Sequence, residues 1–182
     1  MRTGDVVLIQ FGHNDSGPLD DAARARGSMP GVGDETREIE NPVMKRHETV
    51  HTFGWYLTQY VREIKARGAT PVLCSMIPRK IWVDGKVQRT TDTYRGWTRT
   101  IAEREHVPFL DLNEIIAEKY DALGSAAVEP LFGDEHTHTT AAGAILNAQA
   151  VVAGLKAMPN DPVAKDFSAQ GDSIRAFSPA SK

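Results

Sequence analysis

Cysteine occurs once in these 182 residues, at position 74. One thiol excludes an internal disulfide framework, and its place in an apolar run reads as a buried core thiol. Basic charge is not in excess either: the formal net charge is -3, which supplies neither an electrostatic footprint for nucleic acid nor a polybasic membrane patch. No apolar run approaches the roughly 20 residues that span a bilayer, and Met1-Arg2-Thr3-Gly4 does not open a signal peptide. There is no internal repeat. What remains is a chain 41% hydrophobic and 25% charged, the composition of one globular domain with a sizeable core.

Within that chain, apolar runs of strand length alternate with amphipathic runs of helical length. Asp5 to Phe11 and Pro71 to Ile77 read as buried parallel strands, and Val107 to Leu110 as a shorter one. Helices are expected over 53–67, 94–105, 114–123 and 141–158. The first carries an apolar stripe of Trp55, Leu57, Tyr60, Val61 and Ile64, and is stopped by Gly68. This alternation predicts a parallel sheet covered by helices on both faces. The connection from Ser16 to about Val43 is rich in Gly, Pro and charge and is expected to shape a substrate rim. The segment 159–182 reads as a polar, loosely attached tail beyond a domain spanning 1–158.

The stretch with most chemistry is Gly133-Asp134-Glu135-His136-Thr137-His138-Thr139-Thr140, at the mouth of the last long helix. A carboxylate a few residues ahead of a histidine, on a turn feeding a helix, is what orients and charge-stabilises an imidazole base. His138 is the candidate base. Glu135 is the first choice of partner, three residues earlier, with Asp134 as the alternative; Thr139 and Thr140 are both N-cap candidates. The bland reading, a polar surface loop, weighs about equally on this stretch alone.

At the other end, the strand Asp5 to Phe11 runs into Gly12-His13-Asn14-Asp15. The carboxyl ends of strands are where open α/β sheets place ligands. Asn14 is the candidate oxyanion donor, with Gly12 allowing close backbone approach, although an ordinary Asn-Asp turn has the same composition. Arg79 and Trp82, after the second strand, are candidates for contact with a sugar or its acid groups. His47-Glu48-Thr49-Val50-His51 matches the H-E-x-x-H pattern of zinc hydrolases, which needs both histidines one helical turn apart. Position 57, where the longer pattern has a third histidine, is Leu57, so the motif is set against a polar entry to the next helix.

Gly4-Asp5-Val6-Val7-Leu8-Ile9-Gln10-Phe11-Gly12-His13-Asn14-Asp15, with Glu135-His136-Thr137-His138-Thr139 and Gly143-Ala144 far downstream, resembles two blocks of the SGNH (GDSL-like) hydrolases. The nearest branch is that of the rhamnogalacturonan acetylesterases, and the resemblance runs from Gly4 to about Met158. It implies a three-layer α/β/α flavodoxin-like fold and a serine esterase that takes acetyl groups off a pectic polysaccharide without a cofactor. His138 would accept the serine proton, Glu135 would stand where the family has aspartate, and Asn14 would match the oxyanion asparagine. The family is commonly secreted.

The family's opening strand, ending in the Gly-Asp-Ser that holds the nucleophile, has no counterpart before Gly4. The expectation is therefore a fold lacking its first strand and helix, with an apolar edge at Asp5 to Phe11, marginal stability and little activity. Gly171-Asp172-Ser173 is read as coincidence, because no buried strand precedes it. Two further readings stand beside the esterase: a zinc-dependent hydrolase using His47, Glu48 and His51, and a non-catalytic remnant that binds polysaccharide.

Overall fold

The computed structural model describes residues 1–25 and 27–179. Along the chain run β1 (Val6–Ile9), β2 (Thr36–Asn41), β3 (Arg46–His51), α1 (Phe53–Ala66), β4 (Thr70–Cys74), β5 (Trp82–Val83) and β6 (Lys86–Val87). Then come α2 (Tyr94–Arg104), β7 (Phe109–Leu110), α3 (Leu112–Leu123), α4 (Ser125–Val128), a 3-10 turn (Glu129–Leu131), α5 (Ala141–Lys156) and α6 (Ala169–Asp172). They fall into two compact units: Met1–Met76 with Thr91–Phe109, and Ile77–Thr90 with Leu110–Lys182. The expected class holds, an α/β chain with a parallel sheet of strand order β1-β4-β7.

In the first unit β1 and β4 pair in parallel, with Val6 opposite Thr70 and Ile9 opposite Leu73. Helices α1 and α2 pack against each other and against β4. The core that results joins Ile9 and Leu73 to Phe53, Leu57, Val61 and Ile64 of α1 and Tyr94, Ile101 and Ala102 of α2. Thr52 caps α1 by accepting the Trp55 N–H, and Gly68, at φ 73°, turns the chain out of it. The stripe departs from expectation at its edge: Tyr60 is exposed and Trp55 half-buried, while Phe53 and Thr58 are buried. β1 also departs, because Leu8 is 41% and Phe11 49% exposed. As an edge strand it has one flank unpaired among the described residues, and its run is not closed over on every side.

Two hairpins occupy regions read as connection. β2 and β3 are antiparallel, with Thr36 opposite His51 and Asn41 opposite Arg46. Their tip is built by Asn41, whose side-chain oxygen accepts the Val43 and Met44 N–H groups, while Lys45 takes φ 52°. Ile39 and Val50 on one face pack with Leu19 and Met29 from the long connection. The same connection bridges from Met29 to Thr52, the residue that follows β3. Gly54 allows this approach, since a Cβ there would stand 2.6 Å from Val32 Cα.

In the second unit β5 and β6 form a short hairpin, Trp82 opposite Val87. Asp84 and Gly85 both have positive φ, the geometry of a type I′ turn. Arg89 ties this hairpin to α3, bonding the Val87 carbonyl, Asp121 Oδ2 at 2.6 Å and Glu114 Oε1 at 3.2 Å. α3 packs on α5, with the buried Tyr120 hydroxyl donating to Asn147 Oδ1 at 3.1 Å. Gly154 allows α5 to sit close, because a Cβ would fall 2.4 Å from Leu110 Cδ1. The segment expected as a loose tail folds back on α5. Lys156 Nζ donates to the carbonyls of Gly171, Asp172 and Ile174, and the Phe177 N–H donates to Ala153. A single ammonium with three rotatable donors fastens this otherwise polar stretch.

Candidate active site

The loop carrying His138 is closed at its base by backbone pairing. Phe132 and Thr139 form an antiparallel bridge, the Gly133 N–H donates to the His138 carbonyl at 2.7 Å, and the Thr140 N–H donates to Leu131 at 2.9 Å. Thr140 is the N-cap of α5, and its own hydroxyl donates to the Pro130 carbonyl. Gly143 lets the first turn of α5 lie against Leu131, whose carbonyl oxygen would be 2.2 Å from any Cβ there. From the hairpin side, the Lys80 N–H donates to the His136 carbonyl, and the buried Lys80 ammonium pairs with Glu129 at 2.7 Å above the Phe132 ring. The histidine therefore stands on a braced turn.

Inside the loop, Asp134 does two things. Its Oδ1 accepts the N–H groups of His136 (3.2 Å), Thr137 (2.7 Å) and His138 (2.9 Å). Its Oδ2 accepts from His138 Nδ1 at 2.5 Å. The backbone N–H of His138, followed by that of Thr137, holds the Asp134 carboxyl well below the usual carboxylate range. An ionised carboxylate on Nδ1 keeps the ring proton there and leaves Nε2 as the basic nitrogen. The His138 side chain is 84% exposed, and Nε2 makes no hydrogen bond among the described residues.

Glu135, the preferred partner in the sequence, is exposed and makes no hydrogen bond or ion pair with His138 among the described residues. The reason is local: the backbone N–H groups curl around the side chain of the residue that opens the turn, and that residue is Asp134. Such a side chain, bonding N–H groups two to four residues on, is an Asx turn, and the Asp two residues after a strand-like Leu-Phe was its available signal. His136 is turned elsewhere, its Nδ1 2.6 Å from Thr137 Oγ1.

In the first unit, Gly12 follows β1 with φ 125°, and a Cβ would stand 2.7 Å from Met76 Sδ and 2.9 Å from Tyr94 Cβ. Only glycine fits that backbone. The Gly12 carbonyl accepts the Asp15 N–H at 3.3 Å, which makes Gly12 to Asp15 a turn with Asn14 exposed at its third position. Arg79 is exposed, and Trp82 lies half-buried on β5.

The zinc reading is overturned. His47 to His51 lie on β3, where residues four apart share a face but are separated by roughly 13 Å. His47 is held between Glu40 (2.8 Å on Nδ1) and Glu38 (2.8 Å on Nε2), and hydrogen bonding to Glu40 raises its pKa. His51 stacks on Trp55 with ring centres 3.7 Å apart. Glu48 projects from the opposite face to Asn41 and Arg46, away from both histidines. No group of three or more metal-ligating side chains forms among the described residues.

Ser173 ends α6 and donates its hydroxyl to the Gln170 carbonyl at 2.7 Å, so its proton is committed to backbone and not to an imidazole. Cys74 is buried, and burial pushes its thiol up to about 12.

A model of the GDSL-like Lipase/Acylhydrolase family matches residues 2–145. The chain is 34% identical over 151 residues to a rhamnogalacturonan acetylesterase of Emericella nidulans, covering 82% of this chain and 60% of that protein. It is 25% identical over 171 residues to the rhamnogalacturonan acetylesterase RhgT of Bacillus subtilis, covering 86% of this chain and 62% of that one. It thus spans about 60% of the length of these relatives. Among solved structures, the Bacillus subtilis protein YxiM superposes with a TM-score of 0.63 at 21% identity, over 85% of this chain and 37% of that one. That likeness concerns the fold.

Proposed function

The chain belongs to the GDSL-like lipase/acylhydrolase family, and from that premise we propose that it serves a serine-type carboxylic ester hydrolase acting on an acetylated pectic polysaccharide. The observation that carries the reading is the short contact between Asp134 and His138 on a braced loop, with Nε2 open. In the proposed reaction Nε2 of His138 takes the proton of a serine hydroxyl as its oxygen attacks the acetyl carbonyl carbon. Asp134 holds the Nδ1 proton and stabilises the imidazolium that forms. Asn14, with the Gly12 N–H, donates to the carbonyl oxygen as it gains negative charge. The imidazolium then protonates the departing sugar oxygen, and water releases acetate from the acyl-serine by the same steps reversed.

Arg79 and Trp82 are proposed to contact the sugar. The pectic substrate is favoured by the likeness to two rhamnogalacturonan acetylesterases. Labelling the full-length protein with a fluorophosphonate and mapping the modified peptide tests the reading directly. One serine labelled, with labelling and p-nitrophenyl acetate hydrolysis both lost in His138→Ala, is expected. Hydrolysis that proceeds without a labelled serine, or at an undiminished rate in His138→Ala, would overturn it.

A further inference from the structure

Lysine is almost never fully buried unless it is paired. Lys80, two residues before β5, has a side chain only 6% exposed, and its ammonium meets Glu129 Oε1 at 2.7 Å. Taking an ammonium out of water is costly, and an apolar side chain of similar volume commonly serves stability as well as a buried ion pair does. A charge kept in such a place therefore calls for a reason other than stability, and the contacts of Lys80 supply one.

They reach the loop of His138 at three points. Glu129 opens the 3-10 turn that leads into the loop. The Phe132 ring, whose centre lies 5.5 Å from Lys80 Nζ, belongs to the residue that bridges to Thr139, immediately after His138. Inside the loop, the His136 carbonyl accepts the Lys80 N–H at 2.9 Å. The far side of Lys80 is fastened as well. The Gln88 N–H donates to the Ile81 carbonyl at 2.8 Å, the Val87 N–H donates to Asp121 Oδ1 at 2.7 Å, and Arg89 holds Asp121 and Glu114, all of which secure the adjoining hairpin to α3. Asp134 thus fixes the imidazole relative to the loop, and Lys80 fixes the loop relative to α3.

We infer that Lys80 is a positioning residue for the reaction, a clamp from α3 to the turn of His138 that sets where Nε2 stands when it takes the serine proton. The inference rests on the ester-hydrolase reading for the role of His138. Lys80 touches neither substrate nor the reacting atoms in this scheme and acts through the imidazole alone. A reacting group displaced by a fraction of its reach loses rate without losing substrate binding, so the signature of Lys80 lies in kcat.

The test measures p-nitrophenyl acetate hydrolysis by the full-length protein, with rates expressed per site labelled by fluorophosphonate at completion. Lys80→Met keeps the stem and removes the ammonium. Its kcat is expected to fall about 10–100-fold with KM within about two-fold of the parent, and Lys80→Arg, which keeps the charge, to recover part of that loss. In parallel, the Thr137 and His138 amide resonances of Lys80→Met are expected to gain exchange broadening. A lower melting temperature with kcat per labelled site unchanged would overturn the inference, because it would make Lys80 a purely structural residue. Lys80→Arg no better than Lys80→Met would also overturn it. Should Lys80→Met fail to fold, Glu129→Ala breaks the same pair from its exposed end, the Glu129 side chain being 72% exposed, and carries the same expectation for kcat and KM. Undiminished hydrolysis in His138→Ala refutes the hydrolase reading alone, and the amide broadening then decides whether Lys80 holds the loop. Hydrolysis that depends on His138 but is indifferent to Lys80→Met refutes the clamp alone.

Discussion

At the scale of single residues, the loop depends on Asp134 being ionised. Its carboxyl sits below the usual range because it accepts backbone N–H groups, first that of His138. A depressed native value means that the contribution is present above the unfolded aspartate value and lost as pH falls through the native one. The loop is therefore expected to keep its hydrogen bonds through the range in which an ordinary aspartate protonates. Following the Thr137 and His138 amide resonances against pH checks this; a midpoint in the ordinary aspartate range would contradict it. His47 follows the opposite rule. Its raised value, set mainly by Glu40, makes its ion pairs present below the unfolded histidine value and lost as pH rises through the native one. Its ring resonance is expected to titrate above that of an isolated histidine. A midpoint at or below that value would contradict the clasp by Glu38 and Glu40.

At the scale of elements, the helices and the parallel strands were legible because burial writes a period into them. Phe53, Leu57, Val61 and Ile64 recur at helical spacing, and Pro71 to Cys74 form an unbroken apolar run. The β2–β3 hairpin was not legible, because Ile39 and Val50 are its only buried apolar side chains and the H-E-x-x-H pattern suggests a helix over the same residues. β5 and β6 carried a sign that went unused: Asp84-Gly85, the residue pair a type I′ turn requires. In the site, the histidine and its loop were readable from residue type, whereas the choice between Asp134 and Glu135 depends on how the backbone curls and not on spacing. The start of α5 offers a test at this scale. Gly143→Ala drives a Cβ into the Leu131 carbonyl, a backbone group that cannot step aside. A loss of about 1–3 kcal/mol of stability is expected from such overpacking, with esterase activity falling alongside. An unchanged melting temperature would show that α5 can shift from the 3-10 turn without cost.

At the scale of the whole molecule, β1 is an edge strand among the described residues, with Leu8 and Phe11 open beside it. Unpaired edges with apolar side chains pair with other chains. Sedimentation of this polypeptide is expected to depend on concentration, and Leu8→Lys to reduce that dependence; a monomer at every concentration would contradict it. The central proposal is that His138, held by Asp134 on a braced loop, acts as a general base. It separates two neighbouring acids: Asp134, in contact with Nδ1, and Glu135, which the sequence motif puts three residues before His138. The most direct measurement is kcat for acetyl ester hydrolysis in the full-length protein carrying Asp134→Asn or Glu135→Gln. A fall of about 10³–10⁴-fold in Asp134→Asn, as when the carboxylate behind a catalytic histidine is neutralised, with Glu135→Gln within about three-fold of the parent, is the predicted result. The reverse pattern, with Glu135→Gln nearly inactive and Asp134→Asn nearly normal, would contradict it.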